Sequence, residues 1–426
     1  MESGSQRRLD SLSRHFLQPH QANRSLFPNL LRGVHVKDVE ADPVLIGGMV
    51  LDIQATPSIS AKPKTTTPGK VHYVPGGVAR NIAECMSKLG TKPYMISALG
   101  LDMAGNMLLE HWKSARLSME GIRKHHDIQT SVVCHIFDGD GELAAGVASV
   151  EAIENFLTSD WIRQFKCNIC SAPVLMVDAN LSPSALEASC QMAAESSTPV
   201  WFEPVSVIKS RRVASVAKYI TFASPNEDEL IAMANALSCK DVFHPIQRDD
   251  VGTKCSIESL FQMLKPAILV LLEKGIKVVV LTLGSDGVFL CSKEGPGFMN
   301  NVLKGTKPQG FGSQLYEFIT ESCPSNLFLN IATSSSKTYP CAVHLPALPA
   351  SVARLTGAGD CLVGGTLASM CAGLDVLQSV AAGIAAAKAA VEGETNVPSE
   401  YSLAKIADDA RRVYSSAKVI SHQSML

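Results

Sequence analysis

Short apolar runs alternate with helix-like stretches from residue 43 onward, and this alternation most constrains the fold. The runs are rich in β-branched and aromatic residues and lie at Val44-Leu45-Ile46, Tyr94-Met95-Ile96, Val174 to Val177, Val200-Trp201-Phe202, Tyr219-Ile220-Thr221 and Val278 to Leu281. Successive apolar positions are typical of strands buried on both faces in a parallel sheet. The pattern predicts a doubly wound α/β domain, in which ligands bind beyond the carboxyl ends of the strands. Asp52, Asn226 and Gly284 follow such runs and are the first candidates for a binding site.

Composition and charge exclude several classes of partner. The chain has 426 residues, 46% of them hydrophobic, which is enough for a large core. Its 38 Lys and Arg residues nearly balance its 40 Asp and Glu residues, which disfavours binding to nucleic acid or an anionic membrane. No apolar run approaches the ~20 residues needed to cross a bilayer. Cys167 and Cys170 lack the second ligand pair of a structural zinc site. We therefore expect a soluble protein that binds a small molecule.

Residues 1 to 40 differ from the rest of the chain and are expected to lie outside the folded domain, which spans 41 to 426. They are rich in Arg, Ser and Gln and show no strand pattern, as is typical of targeting segments. The run from Arg8-Leu9 to His15-Phe16 resembles an N-terminal peroxisomal signal. A peroxisomal location is therefore expected. A transit peptide for another organelle, or a cytoplasmic location, remains open.

Three stretches are predicted to depart from the main alternation. Segments within 52–75 and 130–150 suit strands joined by turns, and they predict a small β flap, or lid, set aside from the main sheet. Residues 292–343 are rich in Gly, Pro, Ser and Asn and lack a clear period. We expect a long inserted loop with little regular structure there.

The segment Leu355-Thr356-Gly357-Ala358-Gly359-Asp360 combines a glycine turn, a helix start and a carboxylate. Such a turn aims N–H groups outward. Together with the positive end of the helix dipole, these groups make a site suited to phosphate oxygens. Asp360 could accept a proton from a hydroxyl that attacks a bound phosphoryl group. The alternative is a glycine-rich helix start capped by Asp.

Three further segments carry chemistry of the same kind: Val74 to Ala83, Pro225 to Glu229, and Thr282 to Gly287. Taken singly, they could be a glycine turn before a helix, an acidic helix cap and a hairpin turn. Together with the GAGD segment, and in this order, they resemble the ribokinase-like sugar and nucleoside kinases of the PfkB family. The resemblance spans the chain except for residues 1–40 and the insertion at 292–343. It implies a ribokinase-like fold and transfer of a phosphoryl group from ATP with Mg²⁺.

The resemblance also assigns the reacting groups. Asp360 corresponds to the base that activates the acceptor hydroxyl. The amides of Gly357, Ala358 and Gly359 correspond to the anion hole for the transferred phosphoryl group.

Substrate contacts follow in the same way. Asp52 corresponds to the acid that accepts hydrogen bonds from two sugar hydroxyls. Gly76 and Gly77 would let the sugar approach the backbone, and Asn81 could bond to a hydroxyl. Glu142, in the flap, could reach the sugar from above. Lys209 could meet the substrate or the transferred phosphate, although a solvated surface lysine fits its Arg-rich surroundings as well.

The nucleotide and metal positions complete the resemblance. Asn226 and Glu229 correspond to the element that holds Mg²⁺ through water. The remaining nucleotide contacts are expected at Thr282, Gly284, Gly287, Ala385 and Ala389.

Arg354 departs from the family pattern, which usually has an acidic residue at this position that helps bind a monovalent cation. Activation by K⁺ is therefore uncertain. Within the family, Phe202-Glu203-Pro204-Val205-Ser206 and the GAGD turn without the upstream acid resemble the branch that phosphorylates pseudouridine. A kinase for ribose, fructose or another nucleoside, or a catalytically silent binding protein, is the alternative. Family members often pair through the flap, so a homodimer is possible.

Overall fold

A computed structural model describes residues 41–60, 64–138, 143–246, 256–293, 312–324 and 341–420. The signal-like segment in residues 1–40 and the side chain of Glu142 lie outside the described residues. The described strands are β1 (Val44–Ile46), β2 (Val50–Pro57), β3 (Gly69–Gly76), β4 (Tyr94–Gly100), β5 (Ile122–His125), β6 (Val132–Phe137), β7 (Leu143–Ser149), β8 (Leu175–Asp178), β9 (Val200–Glu203), β10 (Phe222–Ala223), β11 (Val278–Thr282), β12 (Val288–Ser292), β13 (Cys341–Leu345) and β14 (Lys418–Val419).

The described helices lie between these strands and after them. They are α1 (Val78–Lys88), α2 (Met103–Ser114), α3 (Glu151–Phe156), α4 (Ser159–Arg163), α5 (Lys166–Ser171), α6 (Pro183–Glu195), α7 (Val207–Ser210), α8 (Glu227–Ser238), α9 (Ile257–Glu273), α10 (Ser313–Ser322), α11 (Ala358–Cys371), α12 (Val376–Val391) and α13 (Leu403–Ser415). Among them, none combines the length and apolar character that a membrane span requires.

The large sheet confirms the predicted doubly wound architecture. Within the described residues its order is β14-β13-β12-β11-β10-β9-β8-β1-β4-β5, and the strands from β11 to β5 are parallel. The strands β12, β13 and β14 extend one edge in antiparallel fashion. Alternate residues of one strand reach different cores: Leu45 packs in one apolar cluster and its neighbours Val44 and Ile46 pack in the other. Burial on both faces explains why these strands read as continuous apolar runs.

One strand was misplaced by the sequence pattern. Tyr219 ends a 3₁₀ turn, Ala217–Tyr219, and the strand β10 comprises Phe222 and Ala223 rather than residues 219–221. The backbone of Thr221 does bond to both neighbouring strands, through Val200 and Val278. The apolar character extends through the turn and the strand alike, so hydrophobicity alone did not locate the boundary.

A second, four-stranded sheet with the order β3-β2-β6-β7 confirms the predicted flap. Asp52 lies inside β2 of this sheet and not beyond the end of a strand of the large sheet, as the run Val44-Leu45-Ile46 had suggested. The chain passes from β1 through Gly47 and Gly48 into β2, so the first strand of the flap follows the first strand of the large sheet directly.

The inserted segment contains more regular structure than expected. Residues Ser313–Ser322 form α10, whose Leu315 and Ile319 are buried one helical turn apart. The strand β13 begins at Cys341. The surrounding Gly and Pro residues hid this short apolar stripe in the sequence. The other residues of the insertion, 294–311 and 325–340, lie outside the described part.

Candidate active site

The start of α11 presents backbone amides beside a carboxylate. Gly357 precedes the helix with a φ of 86°, and a Cβ there would lie 2.2 Å from the carbonyl oxygen of Asn396. The first N–H groups of a helix have no acceptor within it. Space is open at Gly359, since a Cβ built there meets no atom within 4 Å. Ala358 and Gly359 border a pocket suited to an anion, whereas Gly357 does not line it. The amide of Ala358 also donates to the carbonyl oxygen of Leu355, over 3.3 Å.

Asp360 lies in the first turn of α11 and is partly exposed. Its Oδ2 atom accepts a hydrogen bond of 2.6 Å from Nδ2 of Asn81. Loss of contact with water raises its pKa to about 6, and the negative charges of Asp178 and Asp52 add to this rise. The Asn81 bond and the charge of Arg80 oppose it. A carboxylate with such a pKa can take up a proton near neutral pH.

Glycines bring α1 and the flap against this carboxylate. Gly77 has a φ of 98°, and a Cβ on it would lie 2.5 Å from the carbonyl oxygen of Gly48. A Cβ on Gly76 would lie 2.3 Å from Oδ2 of Asp52. At both glycines the space beside Cα is taken by the protein itself, by the backbone of Gly48 and by the Asp52 carboxylate, and the approach of a sugar there stays a prediction. One helical turn further on, Asn81 reaches Asp360.

Asp52 is nearly buried, and burial raises its pKa, partly offset by a bond from Asn396 and by the charge of His135. Nδ2 of Asn396 donates to Oδ2 of Asp52 over 2.9 Å. In the strand register, Gln54 pairs with His135 on the same face of the flap as Asp52. Asn396 follows the Ala-rich helix and carries no motif, so nothing in the sequence identified it.

Asp178, at the end of β8, was missed by the sequence analysis. It is fully buried and accepts bonds from the amides of Gly48 and Asn180, at 2.9 and 3.0 Å. Nζ of Lys209 donates to Oδ1 of Asn180 over 2.5 Å. Lys209 is half-buried, and burial lowers its pKa, so it is not a freely solvated lysine. Applying the strand-end rule to Val174–Val177 would have found Asp178.

A cleft of about 820 Å³ lies on the other side of the α11 start. It contains the predicted residues Asn226, Thr282, Gly284 and Gly287, together with Ala358 and Gly359. Most of the remaining wall is apolar, from residues including Leu348, Pro349, Val352 and Leu355. The size and apolar lining suit a flat heterocycle with its phosphates directed towards α11.

The rotation of α12 about its axis determines which of its residues border the cleft. Neither Ala385 nor Ala389 borders the cleft, and Ala385 packs in the core. The face of α12 that borders it carries Ile384, Ala387, Lys388 and Val391, at the 3- and 4-residue spacing of one helix face. In a helix so rich in alanine, composition gives no sign of which face is which.

Asn226 and Glu229 form a reciprocal cap at the start of α8. Oδ1 of Asn226 accepts from the Glu229 amide, and Oε2 of Glu229 accepts from the Asn226 amide, each over 2.9 Å. This is the helix cap that the sequence left as the alternative. Glu229 lies near Glu203, whose pKa is raised well above its ordinary value by burial and by the charge of Glu229. Asn226 borders the cleft, whereas Glu229 stands behind it.

Arg354 precedes the glycine turn, and its guanidinium lies near Asp52 and Glu394. Burial lowers its pKa, and these two acids oppose that change. Its buried Nη1 atom has no hydrogen-bond partner among the described residues. The structure therefore places a positive charge where an acid was expected from the family pattern.

Comparisons with known proteins identify the family. The model of the pfkB family carbohydrate kinases matches residues 41–308. A pseudouridine kinase of Arabidopsis thaliana is 54% identical over 90% of this chain and 100% of its own length. A pseudouridine kinase of Escherichia coli K12 is 28% identical over 58% of this chain and 71% of its own. The solved structure of Arabidopsis thaliana ribokinase complexed with ribose and ATP has a TM-score of 0.63 at 17% identity, covering 87% of this chain and 98% of that one. This chain belongs to the pfkB family of carbohydrate kinases.

Proposed function

We propose that this protein phosphorylates the 5′-hydroxyl of pseudouridine with ATP and yields pseudouridine 5′-phosphate, as a step in pseudouridine catabolism. The observation that carries the proposal is the bond between Asn81 and Asp360 at the start of α11, where Ala358 and Gly359 line the cleft and the charge of Asp52 acts on Asp360. The two pseudouridine kinases similar to this chain support the choice of acceptor.

The arrangement suits in-line phosphoryl transfer. The acceptor hydroxyl gives its proton to the Asp360 carboxylate while its oxygen bonds to the γ-phosphorus. The bond from phosphorus to the bridging oxygen breaks, and ADP leaves. The amides of Gly357 to Gly359 stabilise the charge that develops on the phosphoryl oxygens. On the acceptor side, Asp52 accepts hydrogen bonds from the ribose hydroxyls. Lys209, which donates to Asn180 and lies near Asp178, would contact the nucleoside or the phosphate.

The carboxylates behind the cleft fit a magnesium ion held through water. Glu203 and Glu229 are like-charged neighbours with raised pKa values, so a cation nearby would stabilise both. Among the described residues there is no cluster of three or more His, Cys, Asp or Glu side chains that could hold a metal ion. A hydrated Mg²⁺ ion is bound by few protein side chains. Asn226, Glu203 and Glu229 would hold the ion, which neutralises charge on the β- and γ-phosphates when bound.

A substrate panel tests the function. The purified protein is incubated with ATP, Mg²⁺ and pseudouridine, uridine, adenosine, ribose or fructose, and ADP is measured. ADP formation with pseudouridine alone, and a ³¹P signal of a 5′-monoester, support the proposal. Turnover with a free sugar instead would reassign the acceptor, and no turnover with any compound would favour a silent binding protein. Repeating the assay with K⁺ replaced by tetramethylammonium tests whether K⁺ activates a protein that has Arg354 in place of the usual acid.

We also propose a homodimer formed through the flap. The face of the small sheet opposite Asp52 exposes Val71, Tyr73, Ile136 and Val147. Strand register places Val71 and Ile136 opposite Ala55, and Tyr73 opposite Ile53, so these side chains share one face. An exposed apolar face of this kind suits a second copy of the chain. Light scattering should give the molar mass of a dimer for the wild-type protein and that of a monomer for Val147→Lys. A wild-type protein that is already a monomer would reject the proposed dimer.

We also propose a peroxisomal location, because the run from Arg8-Leu9 to His15-Phe16 resembles an N-terminal peroxisomal signal. Imaging the full chain and a version without residues 1–40, each with a fluorescent tag at the C-terminus, tests it. Loss of peroxisomal signal on truncation is expected, and a cytoplasmic or other organellar pattern for the full chain would contradict it.

A further inference from the structure

We propose that Arg80 is a positioning residue that fixes the orientation of the Asn81 amide and thereby holds the base Asp360 in its proton-accepting form. The inference rests on the proposed kinase function and adds to it a residue that no substrate needs to touch.

Arg80 is held from several sides inside the protein. Only 2% of its surface is exposed. Its Nε atom donates to the carbonyl oxygen of Gly76 over 2.9 Å, and Nη2 donates to that of Pro75 over 2.8 Å. Nη1 pairs with Glu84, and Nη2 also donates to Oδ1 of Asn81. A guanidinium fixed by so many acceptors has a single orientation.

The bond from Arg80 decides which end of the Asn81 amide faces the base. A guanidinium has donors and no acceptor, so Asn81 must turn its oxygen towards Arg80. Nδ2 then points at Asp360, to which it donates over 2.6 Å. In the flipped orientation, Asn81 would place its NH₂ group against Arg80 and its oxygen against the carboxylate, and both contacts would be repulsive.

Both effects of Arg80 favour the ionised base. The Asn81 bond and the Arg80 charge lower the pKa of Asp360, against burial and neighbouring acids that raise it. The titratable groups that face Asp360 from the packed elements are Arg80 of α1, Asp178 of β8, Asp52 of β2, Glu203 of β9 and the thiol of Cys361. A bond with Cys85, together with burial, keeps the pKa of that thiol well above its ordinary value. Among these groups, Arg80 is the cation.

Behind Arg80, a second set of contacts offers a matched control. Glu84 bonds to Lys88 over 2.6 Å and to His111 over 3.0 Å as well as to Arg80. Burial disfavours its ionisation, but bonds from His111, Arg80 and Lys88 outweigh this and lower its pKa to about 2. Replacing Glu84 disturbs the same buried network without touching Asn81. It also removes a negative charge, so its electrostatic effect on Asp360 is opposite to that of losing Arg80.

The test compares Arg80→Met, Arg80→Lys and Glu84→Gln by the pH dependence of kcat/KM. We expect the acid limb of Arg80→Met to move up by about one pH unit, because an opposite charge and a directed bond are lost. Arg80→Lys keeps the positive charge, so its acid limb should move up by less than that of Arg80→Met. Glu84→Gln should lower the melting temperature but leave the limb in place or move it down.

An acid limb that stays in place in folded Arg80→Met, or moves upward equally in Glu84→Gln, would overturn the inference. If Arg80→Met does not fold, Arg80→Lys takes its place, since it keeps the buried charge. An acid limb of Arg80→Lys at the wild-type position would then overturn the inference. The assay uses whichever acceptor supports turnover, so failure of pseudouridine as substrate does not affect it. If no acceptor does, the Asp360 carboxyl carbon is titrated by ¹³C NMR in the ligand-free protein, with Asp360→Asn to assign the signal, and the same shifts are required.

Discussion

Asn396 donates from Nδ2 to Oδ2 of Asp52 over 2.9 Å, although 344 positions separate the two residues. The bond joins the segment after α12 to the first strand of the flap. The backbone of Asn396 also lies against Gly357, at the start of α11. One asparagine therefore contacts both the acid assigned to the ribose and the turn assigned to the phosphoryl group.

Asn396→Ala should weaken binding of the acceptor. Without Nδ2, the buried Asp52 carboxylate loses a directed partner and its position, which we expect to cost on the order of 2 kcal/mol. Steady-state kinetics should show a higher KM for the nucleoside and a nearly unchanged KM for ATP. Asn235→Ala is the control, because Asn235 is similarly buried but bonds to the backbone of residues 242 and 243, away from the site. Equal effects of the two variants on KM would contradict the role of Asn396.

Asp360→Asn should abolish most of the turnover while leaving both substrates bound. A general base typically contributes about 10²- to 10⁴-fold. Asn has nearly the same shape and keeps contact with Asn81, so the pocket should persist. Calorimetric titration of ATP and nucleoside, beside single-turnover kinetics, separates binding from chemistry. Near-normal single-turnover rates would show that another group takes the proton.

The activity of the wild-type protein should rise with pH and level off above about 6. The pKa of Asp360 is raised to about 6, so below this pH the base is protonated and cannot accept the acceptor proton. A pH profile of kcat/KM from pH 4.5 to 8 measures the limb. A profile that falls over this range, or whose limb lies near pH 4, would contradict the assignment.

The stability of the fold should also depend on the ionisation of Asp360, but it should fall with rising pH where the activity rises. The pKa of Asp360 is higher in the folded protein than its ordinary 3.8, so the folded state binds the proton more tightly. The free energy of unfolding therefore declines as the pH rises between these two values. Asp360→Asn cannot ionise and should be more stable than wild type at pH 7.5, with the difference shrinking below about pH 4. Thermal melts at both pH values measure it, and a variant less stable at pH 7.5 would oppose the prediction.

Gly357→Ala and Gly359→Ala should separate the fold from the chemistry. At Gly357, a positive φ and the carbonyl of Asn396 at 2.2 Å from a Cβ both oppose a side chain, so stability and turnover should fall together. At Gly359, a Cβ meets open space, and the fold should tolerate it. The methyl group would then stand where the phosphoryl group passes, so turnover should fall without loss of melting temperature. Full turnover of Gly359→Ala would place the phosphates elsewhere.

The parallel sheet and the flap could be predicted from the sequence because both depend on local periodicity. Val44-Leu45-Ile46 and Val278 to Leu281 are apolar on both faces, as burial between two helical layers requires. Boundaries were less reliable, since Tyr219 and Phe222 are equally apolar although a turn ends at one and a strand begins at the other. The helix α10 was missed because it depends on Leu315 and Ile319 within a polar surrounding.

The site was predictable where a motif fixes the backbone and unpredictable where distant segments meet. Gly357 and Asp360 share one turn, and Asn226 borders the cleft as the cap of α8, three residues after the end of β10. By contrast, Asn396 is recognisable only through its contact with Asp52, and Ala387 only through the rotation of α12. These positions depend on tertiary packing, which no local pattern records.

The placement of Asp52 on β2 has a mechanical consequence. Because β2 belongs to the small sheet, any rotation of that sheet carries the carboxylate with it and strains the contact with Asn396. The acid that would hold the sugar cannot move independently of the sheet above it. If Asp52 holds the acceptor sugar as proposed, binding of the sugar and the orientation of the small sheet are thermodynamically coupled.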